Sequence, residues 1–410
     1  MLKILLLQQY YFPEMTGGAR RAKELSEQFV KNGHSVTVLT TYPRDFRSMP
    51  GFEAKKYEVL NKVVVIRNNT IFIVGKNPIF RMISYFMYVI HSFIYISRNR
   101  KKYDILISQA PLPSAIAAAL ANKFYKIFHH FDVLDILPDL GISAGMIKNK
   151  LFIALLYNLE KWVYDHSNTI STITEGQLNN INNKGISKTK LCCIPDWIDN
   201  TFFKINLDLY KSEIMESYNY QDKTIISFVG NIGVLQNPKI FIQLMDSLIK
   251  DKLDEFLFLF IGDGIMLPKM KKIVKDKNLQ NVEFIGRVKR ELIPALMRMS
   301  DILVTNYLSD EHLNLYIPGK LFEYAISERP IIIGARGDAE NFIEKYGLGL
   351  VVSPSDVIGF KNAIIKISNG SYKYEPKISQ FTKDYSIENV TKLYDGIFNI
   401  LNLANNLKYI

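Results

Sequence analysis

The chain has 410 residues, 48% hydrophobic and 22% charged, a composition that supports folded cores and excludes disordered, collagen-like and coiled-coil proteins. Lys and Arg number 51 against 40 Asp and Glu, and the net charge of +11 suits a polyanionic partner: nucleic acid, anionic lipid or a phosphorylated substrate. Cys192 and Cys193 are adjacent and the six histidines lack metal-ligand spacing, which excludes a disulfide framework and a zinc site of the usual pattern.

Short apolar strands alternate with helical patterns through the first half of the chain. Strands are predicted at 3–8, 35–40, 63–67 and 104–108, and helices at 19–31, 82–97 and 115–125. Such alternation is typical of βαβ crossovers and a mainly parallel sheet. The opening apolar run is too short for a signal peptide, so a cytoplasmic protein is expected.

The segment 82–97 is apolar and aromatic, but Ser84, His91 and Ser92 interrupt it and it is too short to span a bilayer. Four basic residues follow it: Arg98, Arg100, Lys101 and Lys102. This pattern suits either an interfacial helix against anionic headgroups or a buried amphipathic helix with a solvated basic end.

The second half repeats the alternation. Strands are predicted at 224–229, 256–261, 282–285, 302–305, 331–333 and 350–352, and helices at 238–250, 269–277 and 386–401. The segment 194–199 lacks periodicity and is predicted to be a hinge. Two α/β domains are therefore expected, over 1–200 and 201–385, with 386–410 completing the first.

Glycines stand where several predicted strands end, and parallel sheets bind ligands at that edge. Gly17 and Gly18 precede a helix without the Gly-x-Gly-x-x-Gly spacing of dinucleotide sites, and Arg20 and Arg21 follow them. In the second half, the loops that begin at Gly230 and Gly262 repeat the theme. Each loop alone is either a tight turn or part of a phosphate-binding bed.

A more informative segment follows the strand near Asn306. Pro318 suits a helix N-terminus, and the backbone N–H groups of Gly319 and Lys320 would then point at an anion. Glu323, one turn later, is placed to accept hydrogen bonds from a ribose diol. The alternative is that Glu323 is a capping residue and Lys320 is a solvent-exposed side chain.

Asp135 comes just after an apolar strand in the first half. A carboxylate there could orient an acceptor hydroxyl or take its proton. Asp135 and Asp139 could instead only cap the following turn.

Together these motifs resemble glycosyltransferase family 4, whose members have the GT-B fold. The resemblance covers nearly the whole chain and rests on Gly17-Gly18, 33–40, 135–139, 194–199, 230–233 with Gln236, 262–264, 284–288 and 318–324. The last motif is similar to that of a bacterial branch of L-fucosamine and colanic-acid-type transferases of surface polysaccharide synthesis.

This resemblance implies two Rossmann-like domains with parallel sheets facing a central cleft, the first binding the acceptor and the second the nucleotide sugar. The reaction implied is retaining transfer of a sugar, such as an N-acetylated amino or deoxy sugar, from a UDP-linked donor. The implied acceptor is a polyprenyl-diphosphate-linked sugar, with peripheral contact at the inner face of an anionic cytoplasmic membrane. No Asp-x-Asp motif stands out, so neither a cofactor nor an essential metal is expected.

The resemblance also assigns residues. Glu323 matches the family glutamate that holds the ribose. The catalytic candidates are Asp135 and Glu323, and Arg20 and Arg21, which follow the glycines of the first domain, are the acceptor-binding candidates. The donor-binding set is Gly17, Gly18, Gly230, Asn231, Gly233, Gly262, Arg287, Pro318, Gly319, Lys320 and Glu323.

Three departures leave alternatives open. Leu315 replaces the first glutamate of the family's Glu-x7-Glu motif, Leu134 replaces a frequent histidine, and the family's basic pair on the diphosphate has no match near Gln236. A nucleotide-sugar 2-epimerase of the same fold and a non-catalytic partner of another transferase are the other hypotheses. Nucleic-acid binding lacks a recognisable module.

Overall fold

The structure, a computed structural model, describes residues 1–14, 16–43, 51–68, 78–143, 145, 147–198 and 223–406. The chain divides into two compact units, residues 1–196 with 387–410, and residues 197–386. The predicted hinge at 194–199 ends in Asp199, which lies outside the described residues.

The first unit is built on an eight-stranded sheet of order β3-β4-β2-β1-β5-β6-β7-β8. The strands are β1 (Lys3–Leu7), β2 (Ser35–Thr41), β3 (Tyr57–Leu60), β4 (Val63–Asn68), β5 (Ile105–Gln109), β6 (Phe128–Val133), β7 (Thr169–Thr172) and β8 (Leu191–Cys193). Only the edge pair β3/β4 is antiparallel among the described strand pairs of this sheet. The strand order reverses between β1 and β5, which makes that the topological switch point.

The helices of the first unit include the C-terminal segment. They are α1 (Gly17–Lys31), α2 (Pro78–Arg98), α3 (Leu112–Tyr125), α4 (Asp139–Ser143), α5 (Lys150–Asp165), α6 (Glu175–Asn183), and at the C-terminus α14 (Ile387–Lys392) and α15 (Tyr394–Asn406). The prediction of a single helix at 386–401 is therefore wrong in one respect, because the structure has two helices there, separated by Leu393.

The second unit is built on a six-stranded parallel sheet of order β11-β10-β9-β12-β13-β14. The strands are β9 (Thr224–Val229), β10 (Phe256–Ile261), β11 (Val282–Gly286), β12 (Ile302–Asn306), β13 (Ile331–Gly334) and β14 (Gly349–Val352). The helices are α7 (Lys239–Lys250), α8 (Leu267–Asp276), α9 (Ile293–Met299), α10 (Lys320–Ile326), α11 (Asp338–Tyr346), α12 (Val357–Ser368) and α13 (Ile378–Asp384). The order reverses between β9 and β12.

Strand β10 shows why these sequences form central strands. Its phenylalanines, Phe256, Phe258 and Phe260, enter the core on one face of the sheet, while Leu257 and Leu259 enter the core on the other. A strand that is buried on both faces reads as a continuous apolar run. The predicted α/β class with two parallel-dominated sheets is confirmed. No helix in the described ranges is long and apolar enough to cross a membrane.

Candidate active site

In the second unit, the glycine loops lie at the carboxyl edge of the sheet beside the switch point. Gly230 follows β9 with φ +127° and donates its N–H to the Ile261 carbonyl at 2.8 Å. Gly262 follows β10 with φ +137°, and a Cβ there would lie 2.0 Å from the Gly230 carbonyl oxygen. The two loops therefore pack backbone to backbone, a contact that only glycine permits at Gly262. This packing accounts for the glycine at position 262. The role of the two loops in donor binding stays a prediction.

The loop after β9 also brings two amide side chains together. A Cβ at Gly233 would lie 2.6 Å from Gln236 Oε1 and 2.7 Å from Asn231 Nδ2. Asn306, at the end of β12, donates from its Nδ2 to the Gln236 carbonyl at 3.1 Å and so fixes this loop to the other strand of the switch point. Two neutral amide side chains, Asn231 and Gln236, therefore line this loop.

Lys320, the first residue of α10, points into this region. Its Nζ is buried, lies 4.0 Å from the Phe228 ring centroid, and has no hydrogen-bond partner within the described parts of the chain. A Cβ at Gly230 would lie 3.3 Å from the same nitrogen. Burial lowers the pKa of Lys320 to about 7, against the opposing effect of Glu323. The solvent-exposed alternative for this ammonium group is wrong.

The position of α10 is fixed by Tyr324. Its hydroxyl donates to the Val229 carbonyl at 3.0 Å and accepts from the Val229 N–H at 2.8 Å, which ties the helix to the end of β9. Glu323 therefore stands next to the switch point with its side chain 29% exposed. Arg290 Nη2 lies 3.5 Å from Glu323 Oε1.

The other predicted donor-binding residues surround this position less closely. Pro318 is half-buried, and Gly319 is exposed and occupies the N-cap of α10. Arg287 follows β11 and is exposed. The sequence motif thus directed attention to Arg287, whereas Arg290 is the arginine that contacts Glu323. The sequence signal that could have found Arg290 is its position three residues after Arg287, in the same loop.

In the first unit, the switch point lies between β1 and β5, and α1 begins beside it. Thr16 caps α1 by accepting from the Ala19 N–H at 3.3 Å. A Cβ at Gly18 would lie 3.3 Å from Gln8 Nε2, whereas Gly17 is exposed with open space around it. Gln8 is buried, and its Oε1 has no partner among the residues that the structure describes. Sequence reasoning missed Gln8, although it stands directly after β1.

The two arginines of α1 differ, and the assignment of Arg21 to the acceptor is wrong. Arg21 is buried and donates to Asp132 at 3.3 Å and to Asp196 at 3.1 Å. Successive helical residues point about 100° apart, so only one of the pair can face the core. Arg20 is the more exposed one, and it contacts Glu24 at 3.0 Å.

Asp132 is the centre of the network that holds Arg21. Its carboxylate also accepts from Gln109 at 2.7 Å, from Ser171 at 2.9 Å and from the Tyr394 hydroxyl at 2.9 Å. Burial acts to raise the pKa of Asp132, but the Arg21 guanidinium and these donors hold it below its usual value. This network joins three strands, α1 and α15, so its role is structural.

Asp135 lies two residues beyond the end of β6 and is exposed. Surrounding protein atoms reduce the hydration of its carboxyl group and raise its pKa. Asp139 is different, because it is buried and contacts Lys184 at 3.0 Å and the Tyr157 hydroxyl at 2.7 Å. Of these two carboxylates, Asp135 is the one accessible to a ligand.

Two family models match the chain. A "glycosyl transferase 4-like domain" matches residues 16–197, and "glycosyl transferases group 1" matches residues 211–384. The chain is a family 4 glycosyltransferase. It therefore belongs to the GT-B enzymes, as the order of its motifs predicted.

Curated relatives and a solved structure agree with this assignment. One relative is the putative colanic acid biosynthesis glycosyl transferase WcaI of Escherichia coli K12, which is 25% identical to this glycosyltransferase over 312 residues. The alignment covers 73% of this chain and 75% of the relative. Another relative is the Campylobacter jejuni GalNAc-alpha-(1->4)-GalNAc-alpha-(1->3)-diNAcBac-PP-undecaprenol alpha-1,4-N-acetyl-D-galactosaminyltransferase. It is 22% identical to this chain over 184 residues, which are 44% of this chain and 49% of the relative. The structure of Anabaena Alr3699/HepE in complex with UDP-glucose superposes with a TM-score of 0.72 at 12% identity, covering 97% of this chain and 100% of that one.

Proposed function

We propose that this glycosyltransferase moves a sugar, with retention at the anomeric carbon, from a UDP-linked donor to a polyprenyl-diphosphate-linked acceptor in bacterial surface polysaccharide synthesis. The single observation that carries the donor part is the buried Lys320 Nζ, which has no hydrogen-bond partner among the described residues.

A buried ammonium group without a hydrogen-bond partner is costly, and Glu323 offsets only part of that cost, since the pKa of Lys320 stays low. Proteins keep such groups where a ligand supplies the missing contact. A diphosphate beside Gly230 and Lys320 would supply it. Binding would restore the ordinary basicity of Lys320, because a nearby anion favours its charged form. The neutral amides of Asn231 and Gln236 would add hydrogen bonds to the phosphate oxygens.

Glu323 supports the nucleoside part of the donor. Its carboxylate is accessible and lies one helical turn beyond Lys320, so a ribose diol next to a diphosphate on Lys320 is within its reach. Arg290 beside it orients the carboxylate. The resemblance to family 4 assigns the same role to this glutamate.

In the proposed reaction, the bond between the anomeric carbon and the diphosphate oxygen breaks, and the nucleoside diphosphate leaves with the electron pair. The acceptor oxygen bonds to the anomeric carbon, and its proton passes to Asp135 or to an oxygen of the departing diphosphate. Lys320 stabilises the departing diphosphate charge. Asp135 of the first unit either orients the acceptor hydroxyl or takes its proton, and its raised pKa suits the second role. No metal is invoked in this proposal.

The acceptor class and the pathway are supported by relatives and by the sequence resemblance. The names of the E. coli and C. jejuni relatives specify colanic acid biosynthesis and an undecaprenol-linked saccharide. Polyprenyl-linked saccharides of this kind would place the enzyme at the inner face of the cytoplasmic membrane. The donor sugar proposed is an N-acetylated amino or deoxy sugar.

The test is donor turnover by the purified full chain. It is incubated with UDP-sugars, each with and without a polyprenyl-diphosphate-linked saccharide, and UDP release and products are measured. We expect UDP release that depends on the acceptor, with the α-anomer of a UDP-α-sugar retained in the product. Epimer formed without acceptor would instead show a 2-epimerase, and no turnover of any donor would support a non-catalytic partner.

A further inference from the structure

Three titratable side chains of the first unit meet between α4, α5 and the end of α6. Lys184, the C-cap residue of α6, places its Nζ 3.0 Å from Asp139 Oδ2 and 2.9 Å from Glu160 Oε2. Both carboxylate side chains are 2% exposed, and the lysine side chain is 21% exposed. These three residues are called the carboxylate cluster. Two buried carboxylates, from α4 and α5, therefore contact the same ammonium group.

Tyrosine hydroxyls of α5 also contact the carboxylate cluster. The Tyr157 hydroxyl donates to Asp139 Oδ1 at 2.7 Å, and the Tyr164 hydroxyl donates to Glu160 Oε1 at 2.9 Å. The Lys184 Nζ also lies 5.1 Å from the Tyr157 ring centroid. Each carboxylate thus has a neutral donor of its own, and the two compete for one cation.

The charges of the carboxylate cluster favour a proton on one carboxylate, because two negative charges that share a buried site repel each other. Glu160 is the group that takes it. Burial raises the pKa of Glu160 to about 7, the Asp139 carboxylate adds to the rise, and Lys184 and the Tyr164 hydroxyl oppose it. Glu160 therefore changes its charge near neutral pH.

The other elements that pack on α5 meet it through apolar or aromatic contacts. Val163 of α5 shares a core with Phe131 of β6. On α3, Lys123 lies 5.8 Å from the centroid of the Trp162 ring of α5. The charge of Glu160 is therefore controlled from within the carboxylate cluster.

The carboxylate cluster fixes one end of the loop that carries Asp135. Asp139 begins α4 directly after this loop. At the other end of the loop, Gln177 of α6 donates from its Nε2 to the Leu134 carbonyl at 3.0 Å. Lys184 caps the same helix, so α6 holds both ends of the loop. Asp135 lies between these two contacts and is exposed.

We propose that Glu160 is a pH-dependent switch that controls how firmly α4, and with it the loop that carries Asp135, is held. With a proton on Glu160, Lys184 pairs with Asp139 and α4 is held. When Glu160 releases this proton to solvent, its carboxylate attracts Lys184 and repels Asp139, and both effects weaken the contact that holds α4. The switch rests on contacts within the first unit and does not depend on the proposed transfer reaction.

The first measurement is thermal unfolding of the full chain, wild type and Glu160→Gln, from pH 4.5 to 9. An unfolded glutamate has a pKa of about 4.3, so between this value and 7 the folded wild type binds more protons than the unfolded chain, and its stability falls as pH rises. Glutamine has the size of a protonated glutamate and cannot ionise. The Tm of Glu160→Gln minus that of wild type should therefore increase up to about pH 7 and stay constant above it. Glu175→Gln, at an exposed glutamate in the first turn of α6, is the matched control and should give a difference that does not change with pH.

The second measurement is hydrogen exchange of the α4 amides at pH 6 and pH 8, corrected for the intrinsic effect of pH on exchange. Protection of α4 in wild type should be several-fold lower at pH 8, with about tenfold as the limit for an opening that releases one proton. Glu160→Gln should show equal protection at both values, and peptides of the second unit serve as the internal reference. Should this variant fail to fold, Tyr164→Phe removes a donor to the Glu160 carboxylate and should move the midpoint of the α4 transition to higher pH.

Each of three results would overturn the proposal. A Tm difference between wild type and Glu160→Gln that is the same at every pH would show that Glu160 does not change its charge in this range. Equal α4 protection in wild type at pH 6 and pH 8 would show that the charge of Glu160 does not control α4. An unchanged midpoint in Tyr164→Phe would show that a different group titrates. Neither measurement needs a nucleotide or an acceptor, so failure of the switch and failure of the transferase proposal are distinguishable.

Discussion

Arg21 and Lys320 are both buried cations, one in each unit, and their surroundings are opposite. Arg21 donates to Asp132, Asp196 and the Pro195 carbonyl, so the fold itself supplies its counter-charges. Lys320 Nζ lies against the Phe228 ring and has no hydrogen-bond partner within the described ranges. Because burying a charge is costly unless something compensates it, the contacts of Arg21 indicate a role in stability, and those of Lys320 support the proposal that a ligand binds there.

The largest expected effect is the loss of stability when Arg21, whose charge the fold itself compensates, is replaced. Arg21→Met leaves the Asp132 carboxylate buried without its main counter-charge, and the first unit should lose about 3–5 kcal/mol of unfolding free energy. Hydrogen exchange of the β5 and β6 amides measures this loss in the unit concerned. Arg20→Met is the matched control, and its partly exposed ion pair should contribute no more than about 1 kcal/mol. Equal exchange rates in the two variants would remove the distinction between the arginines.

The next effect is on the donor. Glu323→Ala removes an accessible carboxylate that the proposal assigns to the ribose diol, and hydrogen bonds to a charged group contribute about 1.5–3 kcal/mol. The KM for the donor should therefore rise by about 10–100-fold, with the fold unchanged. Glu311→Ala, at a side chain that is 88% exposed, is the control and should keep the wild-type KM. Normal donor kinetics for Glu323→Ala would show that the ribose assignment is wrong.

The smallest effect is a pH dependence that separates Lys320 from an ordinary lysine. Burial lowers its pKa to about 7 in the folded protein, whereas an unfolded lysine has a pKa of about 10.4. Between these values the unfolded chain binds more protons, so the penalty for burying Lys320 fades as pH rises from 7 to 10.

Thermal unfolding of the ligand-free protein measures this dependence. The Tm of the Lys320→Met variant should be higher than that of wild type. This difference in Tm should be largest at pH 7 and below, and it should shrink toward pH 10. A difference between the two proteins that does not change with pH would contradict the buried position of this ammonium group.

The sequence predicted the strands and helices that have a clear hydrophobic periodicity, and the loops that carry motifs at the ends of strands. Strands β9 and β10 have the predicted bounds, and the sheets follow from the alternation of strands and helices. The antiparallel edge strand β3 was missed, because its burial alternates only between half-buried and exposed positions and its apolar signal is weak. Strands β7 and β8 were missed too, because β7 is polar at three of its four positions and β8 has only three residues, all of them half-buried.

Side-chain partners were the harder part of the site. Nothing in the pair Arg20-Arg21 says which arginine faces the core, because that depends on Asp132, which is 111 residues away in the chain. In the same way, the motif located Lys320, but the Phe228 ring beneath its Nζ is a tertiary contact. The motif also placed Glu323 correctly on a helix, while its neighbour Arg290 comes from a different loop.

The most direct test of the central claim is calorimetric titration of UDP into wild type, Lys320→Met and Lys289→Met. Lys289 is an exposed lysine of the second unit and serves as the control. We expect Lys320→Met to be at least as stable as wild type without ligand at pH 7, yet to bind UDP about 10–100-fold more weakly because a charge-assisted contact is lost. Lys289→Met should bind as wild type does. Wild-type UDP affinity in Lys320→Met would contradict the claim that this buried cation is the diphosphate site.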